Sequence, residues 1–335
     1  MQISNKVSSK PFNTFNIDVE IDRLITIDDV SDLAYLDLDL SKVSIIGGGS
    51  NLLLKSNIDH PVLHINMKGI EIVNDSDTYV LVEAQAGEEW HDFVLWTIEN
   101  DFGGVENMSL IPGKCGAAPM QNIGAYGVEI KDVLHAVKVF DKTTRQHLTF
   151  HNSECHFGYR TSNFKTVWKD RFIITSIVLQ LTKNGHHVLN TSYGAISKTL
   201  EEKHILDPSI KHISEAVIAI RQSKLPDPNV IGNSGSFFKN PVVEKSIADA
   251  ILETHPNMPS YPAENGVKIP AGWLIDQCGW KGKVVGQTGT YKHQALVIVN
   301  HGHATGEEVF NLSQTIQKSV KEKFNIALEA EVNIW

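Results

Sequence analysis

Apolar residues along this chain follow two periods, one near two residues and one near 3.6, and the segments do not alternate regularly as strand, helix, strand. Val43 to Ile46 is a short apolar run that stops at three glycines, as a buried strand entering a tight turn would. Tyr79 to Ala84 alternates around β-formers and predicts another strand. Phe172 to Leu181 and Ala295 to Val299 also read as strands. Trp90, Phe93, Val94 and Trp96 fall near helical spacing, with Gly103-Gly104 as the expected terminator. Further helices are expected at Ser246 to Glu253, at Ser214 to Arg221, and at Gly306 to Phe324, the last with Thr305 as N-cap. The stretch Lys224-Leu225-Pro226-Asp227-Pro228 should break the middle one and mark a domain change.

Composition narrows the class. A chain of 335 residues with 41% hydrophobic and 21% charged residues is an ordinary globular protein, long enough for two or three domains. Thirty basic against thirty-nine acidic residues leave a net charge of −9, which argues against nucleic acid as a partner but permits a local basic cleft for a phosphorylated ligand. Met1 to Asn16 lacks an apolar stretch of signal-peptide length, and no run approaches the roughly 20 apolar residues that span a bilayer. Cys115, Cys155 and Cys278 are odd in number and far apart, as reduced thiols of a cytoplasmic protein would be. The fifteen histidines include His301-Gly302-His303, but no H-E-x-x-H or Cys/His ligand set accompanies them. These read as loop residues, and no metal is expected.

Five segments carry candidate chemistry. Gly47-Gly48-Gly49-Ser50-Asn51 follows the Val43 to Ile46 strand, and backbone N–H groups in such a turn suit a pyrophosphate; a plain tight turn reads equally well. Ile111-Pro112-Gly113 and Gln121-Asn122-Ile123-Gly124-Ala125-Tyr126-Gly127 place amides and an aromatic ring among glycines, which suits the edge and face of a flat heterocycle. Arg160, among Tyr159, Phe157 and Phe164, could grip a carboxylate, though a surface arginine is the simpler reading of that segment alone. Ser236 lies between Gly235 and Phe237-Phe238; its hydroxyl could donate a proton beside a dry surface, but turn chemistry is the commoner role. Glu329 and Glu331 would point the same way from an extended strand, or would simply be solvated.

In this order, GGGSN, IPG, QNIGAYGVE, YRTSNFK, GSFFKNP and LEAEV resemble the UDP-N-acetylenolpyruvoylglucosamine reductase (MurB) family, from about Asn13 to Val332 and in its longer, type I form. The resemblance implies an α+β fold: a two-lobed FAD-binding module of the p-cresol methylhydroxylase type (residues 1–68 and 69–223) and a smaller substrate domain (224–325), with residues 326–335 returning to the active site. It implies non-covalent FAD held by Gly47, Gly48, Gly49, Ser50, Asn51, Ile111, Gly113, Gln121, Asn122, Gly124 and Tyr126. Arg160, Ser236 and Glu331 match its catalytic positions; Tyr193, Arg221, Lys224, Asn240 and Gln294 match its substrate contacts. The implied reaction runs in a cytoplasmic monomer and passes hydride from NADPH through the flavin to UDP-N-acetylglucosamine enolpyruvate. Arg160 and Glu331 then stabilise the developing charge and Ser236 protonates the α-carbon. The chain departs from the family at Lys114-Cys115, where a small polar residue and an aliphatic are usual. An oxygen-using oxidase on the same fold, or a binding module without catalysis, would lack either this substrate dependence or the need for a proton donor.

Overall fold

The computed structural model describes residues 1–335, and the chain groups into two compact units. The first comprises Met1–Val7, Ile21–Gly48 and Ile58–Arg221; the second comprises Ser8–Glu20, Gly49–Asn57 and Gln222–Trp335. Six helices are present: α1 (Trp90–Glu99), α2 (Gly194–Glu202), α3 (Ile210–Lys224), α4 (Lys245–Thr254), α5 (Ala271–Gln277) and α6 (Gly306–Phe324).

The first unit holds two larger sheets. One has the order Gln2–Ser8, Glu20–Ile27, Ile58–Ile65, Ser44–Ile46, and both neighbours of Ile58–Ile65 run parallel to it. Ile25, Ile27, Leu63 and Ile65 bury one face of it, with Leu33, Leu36 and Leu40 from the following turns and Phe140 and Ile173 from the other sheet. That other sheet is antiparallel, in the order His147–His151, Leu134–Asp141, Phe172–Thr182, Tyr79–Gln85, Ile70–Asp75. The alternation around Tyr79 is realised: Val80, Val82 and Ala84 are fully buried. The expected strand at Phe172 is central and buried on both faces, which is why its sequence is a nearly continuous apolar run.

Helix α1 lays Trp90, Phe93 and Val94 into the same core. Trp90 is 1% exposed and its indole N–H donates to the Met108 carbonyl at 3.0 Å, so truncation to alanine would cost about 3–5 kcal/mol. The glycines do not end this helix. It stops at Glu99, where Asn100 N–H and Asn100 Nδ2 both donate to the Trp96 carbonyl and Asp101 turns left-handed at φ 57°. Gly103 instead exchanges two backbone bonds with Thr182. Helix α3 is longer than the expected Ser214 to Arg221. Ile210 and Ile213 extend its buried stripe through Val217 and Ile220, and it ends just before Leu225-Pro226, whose ring disfavours a helical residue ahead of it.

The second unit carries the antiparallel sheet Gly232–Ser236, Val297–Asn300, Thr288–Thr290, Val284–Val285 and the smaller sheet Val242–Val243, Gly266–Lys268, Tyr261–Ala263. The strand expected at Ala295 begins two residues later, because Ala295 and Leu296 lie in a turn closed by Val297 N–H on the Gln294 carbonyl. Helix α6 has the predicted bounds. Thr305 and Glu308 form a reciprocal capping box, Val309, Leu312, Ile316 and Val320 are buried, and Asn325 closes the helix at φ 55°. Its first residue must be glycine: a Cβ on Gly306 would lie 1.7 Å from the Leu54 carbonyl oxygen.

Candidate active site

In the first unit, Gly47 and Gly48 follow the strand Ser44–Ile46 and pass over the second glycine loop so closely that a Cβ on Gly48 would lie 3.2 Å from Gly113 Cα. Two stretches of bare backbone are therefore stacked, and both are half-buried rather than sealed. The side chain of Lys114 lies across Gly47 and ion-pairs with Glu89. The loops here also concentrate backbone strain: Leu110, Asn122, Tyr126 and Arg160 all sit at φ between 48° and 59°. Residues held in that region cluster at ligand sites because only a surrounding structure can keep them there.

Asn122 is fully buried, and its amide is spent on the protein. Nδ2 donates to Glu129 Oε2 at 3.0 Å and to the Gly158 carbonyl at 3.1 Å, while Oδ1 accepts Lys131 N–H at 3.2 Å. Both Nδ2 hydrogens are thus taken within the protein, and the side chain shapes the loop, with a second lone pair on Oδ1 as its remaining capacity. Gln121 accepts from Lys165 Nζ at 3.2 Å, and Gly124 opens a tight hairpin to Val128 in which a Cβ would meet the Val128 carbonyl at 2.7 Å. Arg160 reaches back to this loop and donates to the carbonyls of Asn122 (3.4 Å) and Gly124 (3.1 Å), which orients the guanidinium. Tyr126 and Tyr193 meet edge-to-face at 5.2 Å. Burial pushes the Tyr126 phenol above its ordinary value, against the opposing pull of the Arg221 cation. Tyr193 is 52% exposed. Arg221 is held in the protein, with Nε donating to the Leu110 carbonyl at 3.2 Å, and burial draws its pKa below the usual arginine range.

In the second unit, residues about 95 positions apart are brought together. Ser236 ends the strand Gly232–Ser236 after a bulge at Gly235 (φ 67°), and it is exposed while Phe237 and Phe238 are each 1% exposed. Glu331 N–H donates to the Phe237 carbonyl at 2.8 Å, and Phe238 bridges Ala330. The last strand is only Asn333–Ile334, parallel to Leu52–Leu53, and Asn51 Nδ2 donates to the Glu331 carbonyl at 3.3 Å. Glu329 and Glu331 do not act as a pair, since Glu329 is taken by Lys239. Gly49 is left-handed (φ 58°) and bonds Thr14 N–H through its carbonyl at 3.3 Å, with Ser50 next to it. Asn240 and Gln294 converge on the start of α5: Asn240 Oδ1 accepts Ala271 N–H at 2.9 Å, and Gln294 Oε1 lies where a Cβ on Gly272 would be 2.7 Å away. Lys224 is exposed at the end of α3.

A profile for an FAD-binding domain matches residues 25–148, and one for the C-terminal domain of UDP-N-acetylenolpyruvoylglucosamine reductase matches residues 227–335. The reductase of that name from Flavobacterium johnsoniae is 52% identical over the whole of both chains; that from Neisseria gonorrhoeae is 47% identical, covering 96% of this chain and 94% of its own. The chain belongs to the UDP-N-acetylenolpyruvoylglucosamine reductase family. The reductase of Thermus caldophilus, known from a crystal structure, shares its fold with a TM-score of 0.72 at 23% identity, covering 100% of this chain and 99% of that one. Membership makes this chain a flavin-dependent oxidoreductase with FAD as its cofactor.

The first unit fits that cofactor on its own geometry. A diphosphate needs backbone that it can approach closely, and the half-buried Gly47-Gly48 and Gly113 strips lie within the FAD-binding match with only the flexible Lys114 side chain against them. Cys115 is fully buried and burial raises its thiol pKa, while Cys155 is pushed up to about 12. No group of three or more His, Cys, Asp or Glu residues is placed to hold a metal ion, and His301 and His303 are exposed in the turn after Asn300. Sequence reasoning missed Asn107, whose buried amide ties the Tyr126 and Asn190 carbonyls at 3.0 and 2.9 Å and so joins the loops bearing Tyr126 and Tyr193. It also missed His91. Neither residue lies in a glycine-rich segment or stands out by type, so no local signal marked them.

Proposed function

We propose that this reductase converts UDP-N-acetylglucosamine enolpyruvate to UDP-N-acetylmuramate with NADPH, a cytoplasmic step in making peptidoglycan precursor, as a monomer. Residues 1–68 and 69–223 serve as the flavin lobes and 224–325 as the substrate domain, with 326–335 returning to the active site. The observation that carries the mechanism is the exposure of Ser236 beside the Phe237–Glu331 backbone bond, where the chain enters the buried Phe237-Phe238 pair. Bound FAD supplies hydride transfer from the nicotinamide to the enolpyruvyl β-carbon.

The chain's own residues do the rest. Arg160, oriented by the Asn122 and Gly124 carbonyls, grips the substrate carboxylate and stabilises charge that spreads into it as the β-carbon is reduced. Glu331 assists in its protonated form or through a water, and Ser236 Oγ delivers a proton to the α-carbon. Gly47, Gly48, Gly49, Ser50, Asn51, Ile111, Gly113, Gln121, Asn122, Gly124 and Tyr126 form the cofactor's surroundings, Asn122 through its backbone and its hold on the loop. Lys224 binds the substrate diphosphate, and Tyr193 contacts the substrate. Arg221, Asn240 and Gln294 complete the substrate contacts with the capacity their protein partners leave them.

Anaerobic stopped-flow absorbance tests the assignment of Ser236. Ser236→Ala should bind FAD and be bleached by NADPH at the normal rate, then reoxidise with the enolpyruvyl substrate on the order of 100- to 10,000-fold more slowly. Equal loss of both phases would make Ser236 a structural turn residue and end this mechanism.

A further inference from the structure

Leu110 stands immediately before Ile111-Pro112-Gly113 and adopts φ 59°. Asparagine tolerates that region through local hydrogen bonds; leucine has no such help and must be held from outside. Both of its backbone groups are held. Its N–H donates to His91 Nδ1 at 3.0 Å, and its carbonyl accepts Arg221 Nε at 3.2 Å. His91 lies in the first turn of α1 and Arg221 in the last turn of α3, so the two grips come from different helices. The residue before His91 holds the other end of the same loop, with Trp90 N–H on the Gly113 carbonyl at 2.9 Å. A nitrogen that accepts a hydrogen bond cannot carry a proton, so Nδ1 must be bare and His91 neutral while the grip exists.

We propose that His91 is a positioning residue for FAD: by accepting the Leu110 N–H it fixes Ile111 to Gly113 in the shape that receives the cofactor, and the grip is lost when the imidazole becomes doubly protonated. This rests on Ile111 and Gly113 as cofactor positions. The charged groups facing His91 are Asp92 on its own helix, which favours protonation, and Arg221 from α3, which opposes it. Burial is the largest influence and also opposes protonation, so the folded pKa lies below the ordinary value near 6.5. The neutral form is the competent one. FAD affinity should therefore be full near neutral pH and fall as pH drops through that lowered value.

The test is FAD binding to the deflavinated full-length protein, read by flavin fluorescence from pH 8 to pH 5. His91→Asn keeps an amide oxygen where Nδ1 was and cannot titrate; His91→Gln moves its polar end toward the position of Nε2. His91→Asn should match the wild type near pH 8 and resist the weakening at low pH. His91→Gln should bind about three- to tenfold more weakly throughout, the loss of one hydrogen bond. Gly113→Ala, at φ 114°, checks the underlying reading and should also weaken FAD. The inference is overturned if His91→Asn keeps the wild-type pH dependence, or if it binds no better than His91→Gln. If those two variants behave as expected but Gly113→Ala leaves the Kd unchanged, the placement of the cofactor loop fails instead. Should His91→Gln not fold, the pH comparison of His91→Asn with the wild type decides alone.

Discussion

Alanine at Gly49 and alanine at Gly47 should have opposite signatures, although both replace a glycine of one short run. At Gly49 the backbone is left-handed (φ 58°), which costs a residue with a Cβ about 1–2 kcal/mol. The new Cβ would also lie 2.0 Å from the Phe12 carbonyl oxygen and 2.8 Å from Asn13 Cα, both backbone atoms with no side-chain freedom to yield. Moving that backbone weakens the Thr14 N–H bond to Gly49 (3.3 Å) and the bonds by which Asn13 holds Ser9 and Ile17, without breaking all of them, at a combined cost of about 2–3 kcal/mol. The total is roughly 3–5 kcal/mol. At about 2 °C per kcal/mol for a chain of this size, the melting temperature of the apoprotein should fall by about 6–10 °C. Gly47 has no positive φ, and its Cβ would meet only Lys114 Cγ at 3.3 Å and Lys114 Cβ at 3.5 Å, a flexible neighbour. Gly47→Ala should keep stability within about 1 kcal/mol yet weaken FAD roughly tenfold, because a methyl group intrudes on backbone that the diphosphate must approach. Thermal melts of the apoproteins and FAD titrations separate the two. A Gly49→Ala variant that melts within about 2 °C of wild type, or a Gly47→Ala variant that falls as far as Gly49→Ala, refutes this reasoning.

Arg160→Lys should keep its FAD but lose roughly 10- to 100-fold in turnover, since an ammonium cannot hold two carbonyls and a carboxylate in one plane; steady-state rates equal to wild type would remove Arg160 from the chemistry. Lys224→Ala should raise KM for the UDP-sugar and spare kcat, because a diphosphate contact acts alike on ground and transition states, and the reverse split would make Lys224 catalytic. Burial raises the pKa of Glu106, against the Gly104 N–H it accepts at 2.7 Å. The folded state then binds a proton more readily than the unfolded one, so this group favours folding below its raised pKa and penalises it as pH rises through that value. Glu106→Gln should accordingly stabilise the protein at neutral pH and flatten the fall above pH 4.5 in urea titrations; an unchanged pH profile would show that Glu106 does not contribute it.

What the residue pattern makes visible here is local. Helix α6 could be bounded from Thr305 to Phe324 because its cap, its buried stripe and its stop are all written within a few positions of one another. The strand at Tyr79 shows its alternation for the same reason, and the glycine loops announce themselves by composition. The end of α1 was misplaced because Asn100 and Asp101 close it by side-chain and backbone bonds that need no glycine, while Gly103 belongs to a pairing with Thr182, about 80 residues away. The site divides along the same line. Residue types suited to anion, carboxylate and proton chemistry are legible one by one, and their ordered set is legible as a family resemblance. Which of their polar groups remain for a ligand is not, since that depends on partners distant in sequence. Asn122 spends its amide on Gly158 and Glu129, Asn240 caps α5, and Arg221 and His91 hold Leu110 across gaps of 111 and 19 residues. Hydrogen-bond capacity is finite and is allocated only when the chain closes on itself, so chemistry can be read from the residues but its availability is set by the fold.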